Sequence, residues 1–87
     1  MTTALELFKL DLGIQHSKRD IYFLRILKAA ENELKGKGIK IDIEKNEDVL
    51  LVVDLALWKY RKRTEDAPLS QNIRQRIRDR IVKERAK

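Results

Sequence analysis

Residues 49–60 read Val49-Leu50-Leu51-Val52-Val53-Asp54-Leu55-Ala56-Leu57-Trp58-Lys59-Tyr60, apolar at nearly every position with one acid in their midst. Asn46 is placed to cap a helix here, and Glu47 and Asp48 in its first turn favour the positive end of the helix dipole. A helix that is apolar almost all the way round has no face to give to water, so it is expected at the centre of the fold, packed by everything else. Asp54 is the exception. Burying a carboxylate alone costs several kcal/mol or forces it to take a proton, so it should find a cationic partner, with Arg25 or an arginine near the C-terminus as candidates. Trp58 and Tyr60 belong to the same helix and are expected at the core and its edge rather than as platforms for nucleic-acid bases.

Working outward toward the N-terminus, Ile39-Lys40-Ile41-Asp42-Ile43 alternates apolar and polar residues, a strand pattern. A lone strand of that length has nothing to pair with, so an extended connector is the better reading. Ahead of it, Phe23, Leu24, Leu27, Ala30 and Leu34 form one apolar helical face that Ile21 and Ile26 widen, starting at a Ser17 cap and stopped by Gly36 and Gly38. A first, short helix is read from the capping box Thr3-Ala4-Leu5-Glu6, from Leu5, Phe8 and Leu12 at i, i+3 and i+7, and from Gly13 as its C-terminal stop. His16 lies in the turn between these two helices.

On the other side, Arg61 to Pro68 is a polar, charged connection ending in the only proline. A fourth helix follows, with Leu69, Ile73, Ile77 and Ile81 stepping by four along a narrow stripe. Arg74, Arg78 and Arg85 flank one side of that stripe, and Arg76, Arg80, Lys83 and Lys87 the other. The expected fold is therefore all-α: a small four-helix bundle in a single domain over residues 1–87, with a central apolar third helix and a basic C-terminal helix and tail over about residues 69–87.

The 87 residues carry a net charge of +6. Met1 to Tyr60 is neutral, with ten basic and ten acidic residues, whereas Arg61 to Lys87 holds ten basic residues against Glu65, Asp66, Asp79 and Glu84. The whole excess thus sits at the C-terminal end, which calls for an acidic partner, nucleic acid or an acidic protein surface. The excess is mostly arginine, suited to planar bidentate contact with carboxylates or phosphates. Candidate partner-binding residues are Arg74, Arg76, Arg78, Arg80, Lys83 and Arg85. Ile73, Ile77 and Ile81 either hold this helix on the domain body or enter a groove on the partner. Reversing Arg76 and Arg80 to Glu is expected to abolish binding to that partner while leaving the thermal unfolding of the domain nearly unchanged.

Catalytic readings fare poorly. Cysteine is absent, which excludes disulfides, thiol catalysis and cysteine-based zinc sites. The single His16 has no second histidine and no HExxH spacing, so no metal site is expected, and Gly36-Lys37-Gly38 lacks the strand and the remaining residues of a phosphate loop. No cofactor and no enzymatic activity are expected. MTTALELFKLDLG has neither the basic leader nor the apolar run of a secretion signal, and the longest apolar run, Val49 to Val53, is too short to span a bilayer.

Taken in order, LELFKLDLGI, SKRDIYFLRIL, ENELKGKGIKIDI, VVDLALWKYRKR and PLSQNIRQRIRDRIV resemble the small head-tail connector (adaptor) proteins of long-tailed double-stranded DNA bacteriophages over nearly the whole chain. The most specific pieces are Leu12-Gly13-Ile14 followed by Arg19-Asp20, Gly38-Ile39 before an acidic connector, Val53-Asp54 with Trp58-Lys59-Tyr60 and Arg63, and the closing Arg-Ile-Arg run. The chain departs from the family in Leu55, where an aromatic is common, and in Ala67-Pro68, where Met-Pro is common. The resemblance implies a structural virion protein, present in the host cytoplasm during assembly. Such proteins form a homo-oligomeric ring of about a dozen copies beneath the phage portal protein and join it to the next connector or tail protein, with DNA passing through the lumen. In isolation the protein is expected to be a monomer, since no second apolar stripe forces self-association. The competing reading from the residues alone is a small basic DNA-binding protein that contacts phosphates through its C-terminal helix.

Overall fold

Among the described residues, 2–62 and 69–85 of a computed structural model, four helices form: α1 (Thr2–Leu12), α2 (Asp20–Gly36), α3 (Asn46–Arg61) and α4 (Gln71–Arg85). No strand appears among them, and no helix is long and apolar enough to cross a membrane. The expected Arg61–Pro68 connection beyond Lys62, and the tail beyond Arg85, lie outside the described residues.

α3 is the hub. It packs against α1, α2 and α4, and it buries Val49, Leu51, Val52, Val53, Leu55, Ala56 and Leu57. The one apolar side chain it leaves largely in water is Leu50, 45% exposed. α1 and α2 cover one side of α3 and also touch each other, whereas α4 packs chiefly on α3. Phe8 of α1, Phe23 of α2 and Tyr60 of α3 meet where the first three helices converge, with ring centroids 5.1, 5.6 and 5.8 Å apart and tilted or edge-on orientations. Such geometry sets ring edges against ring faces and adds to the burial of Phe8 and Phe23, both inaccessible to solvent.

α1 and α2 end by the same device. Gly13 (φ 73°) and Gly38 (φ 91°) take the left-handed conformation just past each helix, where a side chain would strain the backbone. The next residue then donates its N–H back into the helix: Ile14 to Lys9 O at 2.9 Å, and Ile39 to Leu34 O at 3.2 Å. Both isoleucines turn inward, Ile39 fully buried and Ile14 partly, as an apolar residue at this position of a Schellman motif does. The connector from Ile39 forms no strand and enters a turn at Ile43, closed by Lys45 N–H to Asp42 O at 3.0 Å, with Ile39 buried, Ile41 half-buried and Ile43 exposed.

The helix starts differ from expectation. α1 begins at Thr2, so Thr3 lies inside its first turn rather than capping it. Ser17 opens a turn, Asp20 N–H to Ser17 O at 3.3 Å, and the α2 ladder begins two residues later, with Arg19 O accepting the Phe23 N–H and no side-chain cap. Asn46 is the first residue of α3, and Lys45 occupies the cap position in an extended conformation, again with no side-chain cap. α4 starts at Gln71 rather than Leu69, and its cap is Ser70, whose Oγ accepts the Ile73 N–H at 3.3 Å. The apolar face of α2 is also narrower than expected: Ile21 is 74% exposed and does not widen it, while Glu31 is buried within it.

Candidate partner-binding face

The isoleucine stripe of α4 resolves one open alternative. Ile73 and Ile77 are buried, and Leu69 and Ile81 pack half-buried against the same core, so the stripe holds α4 on the domain body. What α4 presents outward is polar apart from Val82, 62% exposed.

The six candidate cations divide into two sets. Arg76 Nη1 lies 2.6 Å from Asp54 Oδ2, so the odd acid of α3 is paired by α4 rather than by Arg25. Arg80 is drawn further in. Its guanidinium is bonded through Nη1 to Asp48 Oδ1, donates through Nη2 to Lys40 O at 3.1 Å, and lies 3.7 Å from Glu84 of its own helix. Asp48 in turn accepts the Asp42 N–H at 2.8 Å. Asp48 is 3% exposed as a residue and the Arg80 side chain 13%, so the pair joins a buried carboxylate to a largely covered guanidinium.

These surroundings set the protonation of the pair. Burial pushes the Asp48 carboxyl up, but the Arg80 hydrogen bond, the Asp42 N–H and the charges of Arg80 and Lys45 outweigh it and hold the group below its ordinary value. The Arg80 guanidinium is raised, first by its hydrogen bond to Asp48, and stays charged. Both groups are therefore locked in their ionic forms at neutral pH, and neither is free to meet a partner.

Arg74, Arg78, Lys83 and Arg85 form the other set. All four are exposed, and among the described residues none pairs with an acid. Arg74, Arg78 and Arg85 line one flank of α4 over about three turns, whereas Lys83 lies on the opposite flank, beside Arg80 and the connector residues Lys40 and Asp42. Asp79 lies on the Lys83 side of the helix, its carboxylate accepting from Gln75 Nε2 at 2.9 Å. The available surface is thus a strip of three arginines, with Lys83 on the other flank, on a helix anchored by two isoleucines and two ion pairs. Strips of this kind bind carboxylates or phosphates through charge-assisted contacts.

Sequence reasoning missed Asp48 and Glu31 as buried ionic sites. Asp48 precedes Val52 and Leu55 by four and seven, which places it on the inward face of α3, and that spacing was the available signal. Glu31 is held by Lys28 Nζ at 2.9 Å and Lys35 Nζ at 3.6 Å on its own helix. The Lys28 hydrogen bond is the largest influence on its carboxyl and holds it below the ordinary value against the effect of burial. His16 is exposed in the α1–α2 turn, its Nδ1 accepting the Lys18 N–H at 3.2 Å. Among the described residues no three His, Asp or Glu side chains converge as metal ligands. No family model matches the chain, and neither does any curated protein or solved structure.

Proposed function

We propose that this protein is a small head-tail connector of a long-tailed double-stranded DNA bacteriophage, a structural, non-enzymatic virion component. It forms a ring of about a dozen copies that joins the portal protein to the next connector or tail protein, with DNA passing through the lumen. Its docking element is α4, which meets an acidic surface of the portal or of a neighbouring subunit through Arg74, Arg78, Lys83 and Arg85. Arg76 and Arg80 act one step back, setting α4 on α3.

The observation that supports this reading is the two-sided build of α4, one side anchored by Ile73, Ile77 and the pairs to Asp54 and Asp48, the other carrying Arg74, Arg78 and Arg85, which pair with no acid among the described residues. A solvated helix in a monomer needs neither a buried ion pair to fix its orientation nor a strip of uncompensated arginine. Phosphate contacts would use the same cations, and the DNA-binding alternative differs in one measurable respect. Its affinity falls by about 0.9 log units per neutralised phosphate for each log unit of salt.

The decisive experiment measures the mass of complexes formed by the full chain with the purified portal protein of its phage, and with duplex DNA, at two salt concentrations. A stable portal complex, lost in the Arg74→Glu, Arg78→Glu double variant, is the expected result. Undiminished portal binding by that variant, or DNA binding without portal binding, overturns the proposal.

A further inference from the structure

We propose that the start of α2 carries a second docking surface, for an acidic protein segment that also brings an apolar side chain. Lys18, Arg19, Ile21, Tyr22 and Arg25 line one shallow depression. Ile21 is 74% exposed and Tyr22 46%. The three cations are exposed, and among the described residues none of them pairs with an acid. The acid that could neutralise them, Asp20, is taken by Lys9 Nζ of α1 at 2.8 Å. Tyr22 is held in place, its ring 6.3 Å from Tyr60 and 6.0 Å from Phe23, so the surface is already arranged before anything binds.

Single exposed apolar residues are ordinary and carry no meaning. Here two line the same depression with three cations, Ile21 on the outer side of α2 away from the buried Phe23 and Leu27, and Tyr22 at the edge of the ring cluster. That combination selects the occupant. A nucleic-acid strand would be served by the cations and by Tyr22, but Ile21 has no π-face on which a base stacks. A membrane surface needs a larger basic cluster than three residues. An extended or helical segment with an apolar residue between Asp or Glu residues covers Ile21 and the exposed edge of Tyr22 while its carboxylates meet Arg19, Arg25 and Lys18.

This surface belongs to α2, whereas the strip described above belongs to α4, which packs chiefly on α3. The inference does not rest on the connector reading, and either can fail without the other.

The test titrates the isotopically labelled full chain with a short synthetic peptide alternating Glu and Leu, with its all-Glu counterpart, and with a short oligothymidylate, following backbone amide shifts by NMR. The Glu-Leu peptide should shift residues 18–25 and bind at least about tenfold more tightly than the all-Glu peptide. Arg19→Glu with Arg25→Glu, and separately Ile21→Ser, should each weaken it about tenfold or more, while Arg74→Glu with Arg78→Glu leaves it unchanged. All these positions are exposed, and an unchanged melting temperature verifies the fold. Shifts centred on α4, equal binding by the patch variants, or tighter binding of the oligothymidylate at residues 18–25 would each overturn the proposal. So would shifts at residues 18–25 that grow with protein concentration without peptide, because the occupant would then be a second copy.

Discussion

Arg80 of α4 reaches the buried Asp48 at the start of α3, and the same guanidinium donates to Lys40 O in the connector. One side chain thereby ties α4 to the connector and to the start of α3, which Asp48 joins to each other by accepting the Asp42 N–H. This clamp decides how α4 sits on the body and which of its cations remain available outside.

Removing one partner leaves the other buried and uncompensated, so Arg80→Ala or Asp48→Ala should each cost about 3 kcal/mol of stability, measured by chemical denaturation. Replacing both by leucine should recover much of that loss. A double variant as unstable as the sum of the singles would show that the two residues are not coupled.

Acid should destabilise the protein through the same groups. Asp48 and Glu31 are held below their ordinary values of 3.8 and 4.5, so below about pH 4.5 the unfolded chain takes up protons before the folded one does. The stability they supply is complete above that pH and drains away as the pH falls through their lowered folded values. Melting temperatures measured from pH 7 down to pH 3 should decline in this window, and less steeply in Asp48→Asn. An identical slope in that variant would remove Asp48 from the account.

The rotational setting of α3 separates two leucines five residues apart. Leu55 is fully buried and Leu50 is 45% exposed. Leu55→Ala should cost about 2 to 5 kcal/mol, and Leu50→Ala no more than about 0.5 kcal/mol. Equal losses on thermal unfolding would mean that α3 is turned differently.

Charge reversal on α4 should likewise give two outcomes. Arg76→Glu with Arg80→Glu sets like charges against Asp54 and Asp48 and should lower the melting temperature steeply, whereas Arg74→Glu with Arg78→Glu should leave it nearly unchanged. The reverse order would place the anchoring cations on the other side of the helix.

The glycines closing α2 should respond with opposite signs. Gly38 sits at φ 91°, where alanine is strained, and Gly38→Ala should cost about 1 kcal/mol. Gly36 is helical with open space where a Cβ would stand, so Gly36→Ala should stabilise by about 0.5 kcal/mol. Thermal melts of the two variants check both.

The sequence by itself determined the helices, the central place of α3, the glycine stops of α1 and α2, and the concentration of positive charge on α4. These are local properties, written in apolar periodicity, in turn residues and in charge counts over one segment. Helix starts were less legible because Ser17 and Asn46 have the right side chains for caps, while the backbone hydrogen bonds accepted by Arg19 O and Lys45 O set the actual beginnings. Only the tertiary structure decided that Arg76 meets Asp54 and Arg80 meets Asp48, pairs 22 and 32 residues apart in the chain. A helix apolar on nearly every side does not reveal its own rotation, and an arginine stripe does not reveal which of its members face the body. Packing chose Leu50 for solvent, buried Asp48, left Ile21 uncovered, and reduced six outward cations to four, because each choice depends on what the neighbouring helix brings to the same place.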